Sequence, residues 1–150
     1  MKVIFLDIDG VLNCASTQRR LRGSPFVDED KLLLLKDLVE KTGAELVLSS
    51  TWRLGLLYPD VAAFAADADA LVEEFHKYGL SLYDSTPRLS DKQRGHEIAA
   101  WLEKNPDVDK FIILDDDSDM AHLKEHLVQT SWLAGLQPSH IEKAMKLLEG

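Results

Sequence analysis

Two aspartates, Asp7 and Asp9, stand one residue apart directly after the apolar run Val3-Ile4-Phe5-Leu6, and Gly10-Val11-Leu12-Asn13 follows them. Carboxylates gathered at the end of a buried strand repel one another and pay a desolvation cost. A divalent cation, or a phosphoryl group arriving with its Mg²⁺, supplies the missing positive charge. Gly10 lets the chain turn at once, with no Cβ in the way. Matching chemistry recurs at three places downstream. Ser49 and Ser50 close a second apolar run, in Leu46-Val47-Leu48-Ser49-Ser50-Thr51-Trp52-Arg53. Asp115, Asp116, Asp117 and Asp119 follow the run Phe111–Leu114, and Lys92 and Arg94 open the helical segment before it. Carboxylates, hydroxyls and a cation on one rim are the equipment of Mg²⁺-dependent phosphoryl transfer. Around a Mg²⁺ site, whose Mg–O bonds are about 2.1 Å, carboxylate oxygens of Asp7 and Asp116 are expected within about 8 Å of each other.

These residues can meet only if the right elements carry them. Strands are expected at Val3–Leu6, Glu45–Ser49, Phe111–Leu114 and Leu127–Thr130, with a weaker one at Leu80–Tyr83. The runs are short, rich in Val, Ile, Leu and Phe, and not alternating, as in strands buried on both faces. Helices are expected between them. Asp28 caps one that carries Leu32, Leu35 and Val39 and stops at Gly43. Phe64, Ala68, Leu71, Val72 and Phe75 form a stripe that stops at Gly79. Ser90 with Gln93, and Ser139 with Glu142, read as capping boxes for two more, and Ser118 as the cap of a short helix. Alternating strands and helices imply parallel β-α-β units, hence an α/β fold with a doubly wound, Rossmann-like parallel sheet flanked by helices. In such a sheet, ligands bind at the carboxyl ends of the strands. The connections Cys14–Val27 and Arg53–Arg88 are longer than the fold needs, which makes them the candidate lids.

Composition narrows the classes. A chain of 150 residues, 45% hydrophobic, fits a single domain over 1–150. A formal net charge of −9 argues against general nucleic-acid binding, though not against local handling of a nucleotide. No apolar run reaches the roughly 20 residues a membrane helix needs, so no membrane partner is expected. With Cys14 as the one cysteine and no secretory leader pattern, a reducing cytoplasmic setting is expected. Cys14 lacks a His partner in its motif and reads as structural. His122 and His126 are four apart, with no third ligand evident. The basic cluster Arg19-Arg20-Leu21-Arg22 reads equally as a solvated loop or as a segment facing the site.

The order Asp-x-Asp-Gly, strand-Ser, basic residue at a helix start and strand-Asp-Asp, running from Val3 to Asp119, resembles the haloacid dehalogenase-like (HAD) hydrolase superfamily. The wording Val47–Arg53 together with Ile113-Leu114-Asp115-Asp116 also resembles a small subgroup associated with RNA-repair proteins, akin to the phosphatase domains of polynucleotide kinase-phosphatases. The resemblance implies a HAD-like fold with a minimal cap and a Mg²⁺-dependent phosphatase acting on a phosphomonoester. The substrate would be a phosphorylated small molecule or a nucleic-acid end. It implies Asp7 as nucleophile, forming an aspartyl-phosphate, and Asp9 as general acid and base. Asp7, Asp9, Asp115 and Asp116 would hold the metal, Asp9 through its backbone carbonyl. Ser49, Ser50 and a cation would hold the phosphate, and Arg53 would clamp substrate. The cation is Arg94 or Lys92; Gly95 and Ile98 follow Arg94 as in the usual pattern, although the superfamily usually has Lys there. The rival class is a non-catalytic or regulatory module that binds phosphate or nucleotides and kept the fold.

Overall fold

The run Lys2–Leu6 forms β1, paired with a strand on each edge, and its Val3–Leu6 stretch is apolar because both faces of the sheet are covered. The computed structural model describes residues 1–149. In chain order, β1 is followed by a small antiparallel hairpin, β2 (Arg20–Leu21) and β3 (Ser24–Pro25), then α1 (Glu29–Thr42) and β4 (Glu45–Leu48). A 3-10 turn at Thr51–Arg53 leads into α2 (Leu54–Leu57), α3 (Ala62–Lys77) and β5 (Leu82–Ser85). Next come α4 (Arg94–Lys104), β6 (Lys110–Asp115), a second 3-10 segment (Ala121–His126), β7 (Leu127–Gln129) and α5 (Pro138–Leu148). Five strands make one parallel sheet in the order β5-β4-β1-β6-β7.

Helices cover both faces. Ile4, Leu6, Leu46, Leu48, Ile112 and Leu114 pack under α1, α3 and α5. Val3, Phe5, Val47 and Ile113 pack under α4 and the second 3-10 segment. Val3 to Leu6 are all fully buried. At about 1.5–3 kcal/mol for each such side chain, β1 cannot slip in register without exposing the core.

That register fixes the rim. Leu6 lies opposite Leu48 and Leu114, Leu48 opposite Ser85, and Leu114 opposite Val128. One step further the ladder continues: the N–H groups of Thr86, Ser49, Asp7 and Thr130 donate to the carbonyls of Leu48, Leu6, Leu114 and Asp115, each at 3.0 Å. Thr86, Ser49, Asp7 and Asp115 therefore form one row across the carboxyl ends of four adjacent strands. Asp7 is two residues beyond Phe5, so the row belongs to the face that α4 covers.

Several local expectations are corrected. The helix expected from a Ser90–Gln93 capping box begins at Arg94, because Lys92 takes a left-handed φ of 55° and Asp91 holds the Gln93 N–H in a turn. At α5 the capping box is Gln137 with His140 rather than Ser139 with Glu142, since Pro138 fixes the first helical position. Ser118 heads a loop into the 3-10 segment and caps no helix. The strand expected at Leu80–Tyr83 starts at Leu82, because the Leu80 N–H closes α3 on the Phe75 carbonyl. Most of Arg53–Arg88 is not a lid: α3 buries Leu71 and Phe75 in the core as the crossover between β4 and β5. The Cys14–Val27 connection carries the hairpin, the minimal cap. Among the described residues, no helix is long and apolar enough to cross a membrane.

Candidate active site

Asp7, Asp115 and Asp116 each bring a carboxylate oxygen to within 4.8 Å of the others, inside the expected separation of about 8 Å and close to the roughly 4.2 Å that two Mg–O bonds of about 2.1 Å span. Asp7 and Asp115 are neighbours in the row, and Asp116 comes in from the loop after β6. Gly10, at φ 84°, leaves room for it: a Cβ there would collide with the Asp116 carboxylate. Arg94 lies against the same group, its Nη1 2.6 Å from Asp115 and 3.2 Å from Asp7. Lys92 is exposed on the preceding turn. The left-handed turn that delays α4 is what brings Arg94, and not Lys92, onto the rim.

Three carboxylates around one guanidinium leave the cluster short of positive charge. Burial, and then the charge of Asp115, push the Asp7 carboxyl up to about 8 even though Arg94 pulls the other way. Burial and Asp115 raise Asp116 in the same direction. For Arg94, burial opposes the charge, but Asp7 and Asp115 outweigh it and hold the guanidinium protonated. An all-oxygen donor set with excess negative charge fits a hard divalent cation such as Mg²⁺.

Asp9 stands apart from this group. Its side chain is exposed and accepts hydrogen bonds from Asn13 Nδ2 at 2.9 Å and from Trp52 Nε1 at 3.3 Å, one on each oxygen. Its carboxylate is not one of the clustered three, so what Asp9 could offer a metal is its backbone carbonyl, the group expected from the resemblance. Asn13 is fully buried, and its Oδ1 accepts from the Gly10 N–H, tying the turn to Asp9. Asn13 and Trp52 were not singled out from sequence as partners of Asp9. A buried Asn in the turn right after Asp-x-Asp-Gly was the available signal, while the Trp52 contact spans 43 positions and has none.

The second motif divides. Ser49 is fully buried, next to Asp7 in the row, and its Oγ has no hydrogen-bond partner. An orphaned hydroxyl beside the carboxylate cluster is available to a phosphoryl oxygen. Ser50 is committed elsewhere: its Oγ accepts the Trp52 N–H and caps the 3-10 turn. Arg53, read from sequence as a substrate clamp, is buried and spends its guanidinium within the protein. Its N–H groups donate to the carbonyls of Thr86, Ser49, Ser50 and Pro87 and to Glu97 at 2.8 Å, which uses all five donors of the side chain. It fastens the ends of β4 and β5 to α4. Arg53→Ala would leave Glu97 charged and buried with the Leu89 N–H but without its ionic partner, so a loss of about 3–5 kcal/mol of stability is expected. Urea unfolding measures it. A raised KM at unchanged stability would restore the clamp reading.

The remaining candidates have structural placements. Cys14 is buried, with its N–H bonded to Thr17 Oγ1. His126 stacks on Phe111 at 3.9 Å and His122 points to solvent, so they share no ligand. Asp117 and Asp119 form the exposed turn after β6, linked by an N–H to carboxylate bond. Arg19 pairs with the buried Glu74 at 2.9 Å and lies over the Phe26 ring, anchoring the base of the hairpin to α3.

A family model described as the HAD domain in Swiss Army Knife RNA repair proteins matches residues 3–141, nearly the whole chain. No curated protein matches it.

Proposed function

The chain belongs to the family of HAD domains in Swiss Army Knife RNA repair proteins, and we propose that within this hydrolase-type frame it is a Mg²⁺-dependent phosphatase of phosphomonoesters, including nucleotides or nucleic-acid ends. The observation that carries this reading is the Asp7–Asp115–Asp116 cluster with Arg94 against it, at the carboxyl ends of adjacent strands. Asp7 attacks phosphorus and forms an aspartyl-phosphate as the bond to the leaving oxygen breaks. Asp9 gives that oxygen its proton. Asp9 then takes a proton from the water that cleaves the aspartyl-phosphate and releases inorganic phosphate. Ser49 donates its unpartnered hydroxyl to a phosphoryl oxygen, and Arg94 offsets the charge gathered on Asp7 and the phosphate. Asp7, Asp115, Asp116 and the Asp9 carbonyl would hold Mg²⁺, which when bound would supply the positive charge that lets a dianionic phosphate approach the carboxylates.

Hydrolysis of p-nitrophenyl phosphate tests the reading. Activity is expected with Mg²⁺, to vanish with chelator and to return when Mg²⁺ is restored. Full activity in chelator, or none with Mg²⁺ on aryl and nucleotide substrates alike, would sink it.

Arg94 gives a second check. Arg94→Ala should cost on the order of 10²–10³-fold in kcat/KM, as for loss of one preorganised donor to a developing charge. Arg94→Lys should recover part of this, since the superfamily usually carries Lys at that place. Lys92→Ala, an exposed side chain, should matter little on this small substrate. The reverse ranking would shift the cation to Lys92.

A further inference from the structure

Beside the carboxylate cluster, on the side to which Asp9 turns, lies a hollow of about 340 Å³. One wall is the hairpin, through Leu21 and Ser24; the other is Thr51 and Trp52, with Leu54 of α2 and Phe64 of α3. Asp9 itself lines it. A group that protonates the leaving oxygen must touch it, so whatever lies beyond that oxygen has to occupy this space. We propose that the hollow is the leaving-group subsite and that it takes a planar aromatic ring, which makes phosphomonoesters of nucleosides better substrates than those of bare sugars or alkyl chains. This rests on the phosphatase reading above and adds to it a location and a requirement.

Three features of the walls support it. First, the hollow has two aromatic side chains that the core does not claim completely. Phe64 is 38% exposed and has no aromatic partner among the described residues, although the 3.6-residue stripe put it with the buried positions. Trp52 is half-buried, packed at 6.1 Å against Phe26 and held by its Nε1 on Asp9, which fixes its ring plane relative to the general acid. Secondly, the walls are rigid. α2 and α3 touch so closely at Gly55 that a Cβ there would strike the Phe64 carbonyl. The hairpin tip is tied across to α3: Arg22 Nη1 lies 3.4 Å from Asp67 and donates to the Ala63 carbonyl at 3.3 Å. Two members of the basic cluster after β1, Arg19 and Arg22, thus latch the minimal cap to α3. Thirdly, a site between fixed faces rewards a flat, rigid group, which gives up little entropy on binding. Ser24 and Thr51 supply polar atoms for the edge of a ring.

Adenosine 5′-monophosphate and ribose 5-phosphate share the same leaving alcohol and differ in the base. The wild-type ratio of kcat/KM should favour the nucleotide by on the order of 10–100-fold, the size of base–aromatic stacking. Phe64→Ala, at an exposed position, should cut that ratio at least fivefold. Trp52→Phe, which keeps a ring and loses the N–H to Asp9, should keep most of the ratio while lowering both rates. Binding provides a readout independent of turnover: adenosine should shift the Trp52 indole Nε1–H resonance, and ribose should not. A ratio within threefold of unity in a protein that hydrolyses p-nitrophenyl phosphate overturns the subsite and leaves the phosphatase reading standing. Absence of the adenosine shift overturns it even where no turnover is seen.

Discussion

Asp7→Asn should abolish turnover, by on the order of 10⁵–10⁶-fold as for removal of a nucleophile, and yet leave a protein that resists unfolding better than the wild type in metal-free buffer. The two effects have one cause. An amide cannot form the acyl-phosphate bond, so the covalent path closes. The same amide removes a carboxyl that the fold holds against its preference. Folded, Asp7 titrates at about 8 because it is buried beside Asp115; unfolded, an aspartate titrates near 3.9. Between these values the folded state keeps a proton that the unfolded state has released, so stability falls as pH rises through the window. The penalty is absent below about pH 4 and complete above about pH 8. Asparagine does not titrate, so its advantage in thermal midpoint should be larger at pH 8 than at pH 5, and Mg²⁺ should narrow it by stabilising only the wild type. Near-normal turnover would sink the covalent mechanism. A stability gain that shrinks from pH 5 to pH 8 would sink the charge account.

That excess of negative charge is also why so much of the site could be read from sequence. A strand that buries every side chain and then ends in aspartate violates local preference, and such violations mark functional positions. Asp7, Ser49 and Asp115 were visible because each sits at the end of an apolar run, and parallel strands in register place run ends side by side. What was illegible depends on chain direction after the strand ends. Arg53 follows Ser49 closely in sequence, but the 3-10 turn at Thr51–Arg53 sends its side chain back under the sheet to Glu97, 44 positions away. Ser50 is spent on capping that same turn. Lys92 and Arg94 are equivalent in composition, and one left-handed residue decides between them. The capping errors share this origin: Ser90 and Ser139 match a motif, while Lys92 and Pro138 set the backbone angles that override it.

Asp9 shows how far a role can be argued from its surroundings. Its carboxylate accepts one hydrogen bond on each oxygen, from Asn13 and Trp52, and these donors aim it at the hollow and away from the three clustered carboxylates. A group aimed at the leaving-group side serves the leaving oxygen first and the attacking water afterwards, because both occupy the same position opposite Asp7. Asp9→Asn should therefore slow turnover by on the order of 10²–10⁴-fold, the worth of a general acid–base. The loss should not fall equally on the two steps. A nitrophenolate leaves without a proton, so phosphorylation of Asp7 by p-nitrophenyl phosphate stays fast in this variant. Hydrolysis of the aspartyl-phosphate still lacks its base. Rapid mixing should then show a burst approaching one nitrophenolate per protein followed by slow turnover, and acid-quenched protein should carry the added phosphate. An alkyl phosphate, which needs the proton, should give no burst. If Asp9→Asn turned over both substrates at wild-type rates, or slowed both without accumulating phosphoprotein on the aryl ester, Asp9 would not be the acid and base, and the hollow it lines would no longer mark the leaving-group side.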